Sequence, residues 1–577
     1  MNTSPTRRPQ APHLSVAPTP RRVADVIVDT LRDLGVDLFL GVCGGAVSPM
    51  YDALLDANED VSRSPVKVIH NRHESAALFI AAGASLMGRL PCVLVTSGPG
   101  ITNALTGIAS AFADSIPLIV IGGEVAKKNF GRGALQEGSK YELDTVAIVR
   151  SVTKYQAPIL NPRAASSVVR RAVQTALSGR QGPVFLSLPL DVASERVTPT
   201  VISSNVATHF AIDDALLERA AALLRGHKKG LILVGSGARH PVATTQIRIM
   251  AEQLRMPVMT TPKGKGLFPE SSPLHLGIFG YGGHPSATKY LEQEPDIVLA
   301  IGCGLGETST NGWTPLIHAT SFIQIDIDSS QIGKNYHVDI GLVGAAHQVL
   351  PSLLAKIRDF NPEQHFDGVV VHQPELMDQD RIPLHPARVV KLLQTCLPHD
   401  TIFTSDIGEH LMFALHYLKL DRPDSFIGHL GLGSMGSGIG SAIGAKMAAP
   451  SRPVVGICGD FGFQMFGMEL ATCVQYGVGT IFAIMNDGRM GMVENGFERV
   501  YGRGMRVDAP AVDFAAMARS VGAIGITIRT PVDFNQLTPE LVRGDVPVVL
   551  DIHIDPTARF AVSGRDQTLG TFASKNP

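Results

Sequence analysis

The chain holds few cysteines and no long apolar run, and its net charge is close to zero; each of these narrows what it can be. Six cysteines in 577 residues (Cys43, Cys92, Cys303, Cys396, Cys458 and Cys473) are scattered through apolar surroundings, with no CxxC pair. That pattern excludes a zinc ribbon and a disulfide framework, and predicts buried free thiols in a reducing, cytoplasmic setting. A formal net charge of -2, with charged residues at 18%, leaves no excess of cations to neutralise phosphates, so no nucleic-acid partner is expected. No apolar stretch reaches the length of a membrane span, and the start lacks a secretory apolar core, so no membrane partner is expected. Instead "MNTSPTRRPQAPHLSVAPTPRR" is rich in Pro and basic residues, and residues 1–20 read as a disordered arm.

What is present is apolar and periodic. Hydrophobic residues make up 45% of a chain too long for one core, so about three domains are expected. From 21 to 195, helical patterns ("VADVIVDTLRDLG", "ESAALFIAAGASLMG") alternate with short β-branched runs ("LFLGV", "PCVLVTS", "PLIVIGG"). From 205 to 360 the same rhythm returns in "GLILVGSGA", "IVLAIGCG" and "FIQIDID". An acidic, Pro-containing linker over 361–383 precedes a third region, 384–565, with "TIFTSDIG", "PVVGICGD", "TIFAIMND" and "VPVVLDIHI". Apolar strands without polar alternation fit parallel sheets covered on both faces, so the fold class is α/β with three doubly wound domains. The first and third regions share a rhythm but no sequence repeat.

Two strand ends carry the chemistry. "VVGICGD" stops at Asp460, and "AIMND" stops at Asp487, 27 residues later. Between them "MFGMELATCVQYGVG" predicts one helix, with Met468, Leu470, Ala471, Cys473 and Val474 on its buried side. A β-α-β unit of this kind sets both acids on the carboxyl edge of a parallel sheet, where ligands bind. Two carboxylates beside exposed backbone carbonyls suit Mg²⁺, which completes its shell with phosphate oxygens and water. "GLGSMG" contains GxGxxG as Gly431, Gly433 and Gly436, but "SFIGHL" before it is a poor strand for a dinucleotide fold; the glycines fit close backbone approach around Met435 instead.

On these residues the chain resembles the thiamine diphosphate (ThDP) enzymes. "NRHESAALFIAAGASLMGRLPCVLVTSGPGITNALTGIASAFADSIPLIVIGGEV" is similar to the pyrimidine-binding domain of acetohydroxyacid (acetolactate) synthases, "IQIDIDSSQIGKN" to their middle domain, and "GLGSMG" and "ELAT" to their C-terminal domain. The resemblance implies ThDP and Mg²⁺ as cofactors and assigns roles by position. Glu74 in "RHES" matches the catalytic glutamate that hydrogen-bonds the pyrimidine N1′ and promotes the tautomer able to take the C2 proton. Met435 matches the apolar prop that bends the cofactor. Asp460 and Asp487 match the metal's side-chain ligands, and Arg489 the residue whose backbone carbonyl joins them. Gly408, Glu409 and His410 match the diphosphate grip, with Gly433, Gly459, Phe461 and Gly462 around it. Gln136 and the "SGPG" loop, Ser97 to Gly100, match the active-site entrance. The family joins halves from different subunits, which implies a homodimer or homotetramer acting on a 2-keto acid and a carbonyl acceptor.

The departures bear on substrate. Asp487 stands where Asn is usual, Phe461 where the family has Gly after the acid, and Glu409 where acetohydroxyacid synthases carry Gln. Gly496 lies where those synthases place a tryptophan, which removes a large apolar wall and points to a bulkier acceptor. "GCGLGETSTNGWTP" lacks the Arg-rich segment that contacts FAD in relatives, although the Gly302–Gly306 turn, Asp326 and Asp328 keep FAD open as a second cofactor. Three readings follow: a carboligase that decarboxylates pyruvate and transfers the acyl unit, a simple 2-keto-acid decarboxylase releasing an aldehyde, and a non-catalytic nucleotide-binding module.

Overall fold

The computed structural model describes residues 19–199, 212–357, 368–507 and 510–560. The N-terminal arm expected over 1–20 lies, apart from residues 19 and 20, outside the described residues, as do 205–211, 361–367 and 561–565.

Strands such as Val454–Gly459 and Ile481–Asn486 are buried almost throughout, because helices cover both faces of their sheet. Three six-stranded sheets result, and their strands pair in parallel. The N-terminal sheet runs, edge to edge, Lys67–His70, Leu38–Gly41, Pro91–Val95, Ile119–Glu124, Val184–Pro189, Tyr155–Pro158. The C-terminal sheet runs Phe426–Gly428, Ile402–Ser405, Val454–Gly459, Ile481–Asn486, Val548–His553, Ile524–Ile528. Counted along the chain within each sheet, both follow the order 2-1-3-4-6-5, so two regions without a sequence repeat share one topology. The central sheet, built from Gly230–Val234 onward, follows 3-2-1-4-5-6. Where the order reverses, helices leave on opposite faces and a crevice opens at the carboxyl ends of the strands. In the C-terminal sheet that point lies between Ile402–Ser405 and Val454–Gly459, and the segments after them carry Asp406 to His410 and Asp460.

The outer domains pack through two almost wholly buried helices, Glu74–Leu86 and Ser437–Ala448. Glycine permits this contact: a Cβ on Gly444 would lie 1.8 Å from the Ile80 carbonyl oxygen, and one on Gly83 2.2 Å from that of Ser441. The central domain is pinned to the C-terminal one by a buried ion pair. Lys265 Nζ donates to both Glu270 oxygens at 3.0 Å and to the Leu418 carbonyl at 2.7 Å, and Glu270 accepts the Leu420 amide at 3.1 Å. Asp114 of the N-terminal domain meets both others, through Lys263 at 3.2 Å and His429 at 3.3 Å.

Three sequence expectations change. "SFIGHL" does form a strand, Phe426–Gly428, at the sheet edge, where three residues pair with Phe403–Ser405. The single helix expected between Asp460 and Asp487 is two, Asp460–Phe466 and Leu470–Tyr476, joined by a 3-10 turn at Gly467–Glu469. The change of axis turns Met468 out to solvent, while Glu469 takes a buried place. Among the cysteines, Cys43 is exposed and Cys396 half-buried; the other four are buried, and all six are free.

Candidate active site

A cavity of about 750 Å³ opens at the carboxyl edge of the C-terminal sheet. Gly408, Glu409, His410, Gly433, Met435, Gly459, Asp460, Phe461, Gly462, Asp487 and Arg489 all line it, so residues spread over eighty positions meet in one place.

Asp460 begins the helix Asp460–Phe466, where the N-terminal amides favour a carboxylate. Its Oδ1 accepts the Phe461 amide and its Oδ2 the Gly488 amide, both at 2.8 Å. Even so, burial and then the neighbouring Asp487 charge push its carboxyl up to about 6. Asp487, after the adjoining strand, is also raised by burial, against the pull of Arg489. Glu409 is raised by burial as well, against the hydrogen bond from Asn495. Buried acids that resist ionisation side by side are what a divalent cation relieves. Among the described residues no group of three or more His, Cys, Asp or Glu could hold a metal alone. A cation held by Asp460 and Asp487 would keep coordination positions for phosphate oxygens and water, as Mg²⁺ prefers.

Arg489 does more here than offer a carbonyl. Its guanidinium reaches Asp487 at 3.4 Å, Glu494 at 3.1 Å and Asn495 at 3.1 Å. Asn495 in turn donates to Glu409 at 2.8 Å, so Glu409 faces the cavity with one oxygen held. His410 Nε2 donates to Asp406 Oδ1 at 2.9 Å, and Asp406 also accepts the Gly436 amide. That buried acid orients the ring and ties the Met435 loop to the segment Gly408 to His410. Gly436, at φ 79°, permits the turn that presents Met435, and a Cβ there would strike the Phe466 ring at 2.3 Å.

Glu74 and Gln136 lie elsewhere. Glu74 opens the helix Glu74–Leu86, is buried, and accepts from Asn103 Nδ2 at 3.2 Å. Asn103 sits on the helix Pro99–Ala113, whose N-cap Gly98 packs against Gln136, where a Cβ would be 3.1 Å from the glutamine Cβ. Glu74, the "SGPG" loop and Gln136 thus lie at the carboxyl edge of the N-terminal sheet, and Glu74 is not among the residues lining the cavity of Asp460. Gly496 does line that cavity, and a Cβ there meets nothing within 4 Å.

Four residues escaped sequence reasoning: Asn103, Asp406, Glu469 and Asn495. Asp406 lies in the quoted "SDIGEH", where an acid ending a strand was a usable signal; the others carry no spacing that marks them. In the central domain, Gly302 and Gly237 need no ligand to explain them, since their backbones pack on each other, with a Cβ on Gly237 2.8 Å from Gly302 Cα. Asp326 accepts the Asp328 amide at 2.9 Å, and Asp328 pairs with Arg180 at 3.7 Å.

Models of one enzyme family match the chain in three consecutive parts. They are described as thiamine pyrophosphate enzyme, N-terminal TPP binding domain, over residues 21–147, central domain over 217–353, and C-terminal TPP binding domain over 406–552. The chain is 35% identical over 556 residues to a probable acetolactate synthase large subunit of Methanocaldococcus jannaschii, covering 92% of each chain. It is 32% identical over 558 residues to the acetolactate synthase isozyme 3 large subunit of Escherichia coli, covering 92% of this chain and 94% of that one.

Proposed function

This chain belongs to the thiamine pyrophosphate enzymes, beside the acetolactate synthase large subunits, and from that membership we propose that it is a ThDP- and Mg²⁺-dependent carboligase. Its donor is a 2-keto acid, pyruvate in our reading, and its acceptor a carbonyl compound bulkier than pyruvate. The observation that supports the metal-diphosphate assignment is a pair of raised carboxyls on adjacent strand ends in one cavity, Asp460 buried and Asp487 partly buried, with the Asp487 charge adding to the rise at Asp460.

ThDP, when bound, would supply a nucleophilic C2 carbanion and an electron sink for decarboxylation. The chain's own residues position and protect it. Asp460, Asp487 and the Arg489 carbonyl would hold Mg²⁺, while Gly408 and His410, with its Nε2 fixed by Asp406, would face the diphosphate. Met435 would press an apolar surface between the two rings. Glu74 would hold a proton against a pyrimidine nitrogen from its place at a helix start, oriented by Asn103. The largely apolar cavity wall would disfavour a retained carboxylate, which favours loss of carbon dioxide.

The two half-sites do not face one cavity within a single chain, which supports self-association: Glu74 of one copy completes the cavity of another. A homodimer is the minimum, and a homotetramer meets the same need. Open space around Gly496 supports the bulkier acceptor. The proposed reaction draws on ThDP and Mg²⁺ and does not require FAD.

The test is reconstitution with ThDP and Mg²⁺, feeding pyruvate alone and with a panel of aldehydes and ketones, and identifying products by mass. Acyloin or acetolactate-type products support the carboligase. Aldehyde as the sole product supports the alternative, a simple 2-keto-acid decarboxylase, and absence of any ThDP-dependent product overturns both.

A further inference from the structure

Glu469 is only 1% exposed, and among the described residues the groups that hold it are neutral donors. Its carboxylate accepts four hydrogen bonds from neutral donors. Oε1 takes the amides of Arg72 at 2.7 Å and His73 at 3.0 Å; Oε2 takes Asn71 Nδ2 at 3.2 Å and Thr472 Oγ1 at 2.6 Å. Three of the four donors are the residues that directly precede Glu74. A charged acceptor shared by consecutive amides is stronger than a neutral one and fixes the backbone that enters the helix. The neighbouring side chains tighten the same grip: the Phe466 ring meets His73 edge-on at 5.4 Å, and Arg72 donates to Gln475 at 2.7 Å.

The other end of this short segment is Asp460. One helix and one 3-10 turn, Asp460–Phe466 and Gly467–Glu469, run from the acid in the cavity to the acid that holds the Glu74 loop. Phe463 and Glu469 anchor the inner side of the segment in the domain core, while Met465 and Met468 face solvent, so the close-packed inner side is what connects the two ends.

We infer that Glu469 is a positioning residue for Glu74, and that the segment 460–469 transmits the state of the Asp460 end to the Glu74 loop. The inference rests on the proposed roles of Asp460 and Glu74. If Glu74 serves a second copy's cofactor, the segment links the two active centres of a dimer: metal and diphosphate bound in one cavity adjust the glutamate offered to the other.

Amide hydrogen exchange tests this on the full-length protein without ThDP. In Glu469→Ala the Arg72 and His73 amides should exchange at least about tenfold faster than in the wild type, since their acceptor is gone. Glu469→Gln, which keeps one carbonyl oxygen and the side-chain volume, should fall between them and serves if the alanine variant does not fold. Wild-type exchange in a folded variant overturns the positioning role. Mg²⁺ with inorganic diphosphate, which has no ring to touch Glu74, should slow exchange at Arg72 and His73 in the wild type. That response should vanish in Glu469→Gln at an unchanged melting temperature, an effect that a purely structural glutamate would not give. Calorimetry of the same mixture separates the failures. Binding heat without a change at Arg72 and His73 overturns the transmission alone; absence of binding heat overturns the metal-diphosphate reading and the transmission with it.

Discussion

Asp460 Oδ2 accepts the amide of Gly488 at 2.8 Å, so one carboxylate braces two adjacent strand ends at the mouth of the cavity. The same carboxylate is the first expected ligand of Mg²⁺. Substitution of groups that merely orient ligands costs about 10–100-fold in metal affinity, so Asp460→Asn should cost more than about 100-fold. Calorimetric titration of Mg²⁺ in the presence of diphosphate measures it.

The raised carboxyl of Asp460 gives a pH dependence with a definite sign. Its value rises from 3.8 to about 6 on folding in the metal-free protein, so the folded state binds the proton more tightly. Its contribution to stability is fully present below pH 3.8 and is lost as pH rises through about 6. Mg²⁺ competes with that proton, so metal affinity should climb across the same window. Thermal melts of wild type and Asp460→Asn without metal should diverge there, and saturating Mg²⁺ should restore the wild type at neutral pH.

Glu74→Gln keeps the acceptor for Asn103 but cannot give up a proton. Turnover should fall by about 10²–10⁴-fold, the range for loss of general acid–base assistance, with the melting temperature nearly unchanged. Steady-state product formation and a thermal melt separate the two effects.

Gly496→Trp should fold, because nothing lies within 4 Å of a Cβ at that position. The indole would rebuild the missing wall. The ratio of kcat/KM for a long-chain aldehyde to that for a second pyruvate should drop by about tenfold or more, the scale of a few buried methylenes.

Lys265→Met leaves Glu270 buried without its cation, and burial already raises the Glu270 carboxyl. Breaking a buried pair on one side costs about 3–5 kcal/mol, so the variant should melt well below the wild type. Replacing both residues with apolar side chains should recover much of the loss, as denaturant titration would show.

Much of the site could be read along the chain, because each half is local. Asp460, Asp487, Gly408 to His410 and Met435 each end a strand or fill a glycine-flanked turn, and a parallel sheet brings such ends to one edge. The helix between the acids could not be read correctly. "MFGMELATC" suits a continuous apolar face on periodicity, but the axis breaks at Gly467, and Glu469 beyond it turns inward to the amides of Arg72 and His73 while Met468 faces solvent. Asn103 and Asn495 were equally hidden, since a hydrogen bond between residues 29 or 86 positions apart leaves no pattern in sequence.

Composition and periodicity alone determined an α/β chain of three sheets with acids at strand ends, because side-chain burial repeats locally and turn residues mark where strands stop. That Glu74 stands apart from the cavity of Asp460 was decided by tertiary structure. The helices Glu74–Leu86 and Ser437–Ala448 that join their two domains meet so closely that glycine is required at 83 and 444. Such an approach depends on two surfaces far apart in sequence fitting together, a property that no single stretch of residues contains.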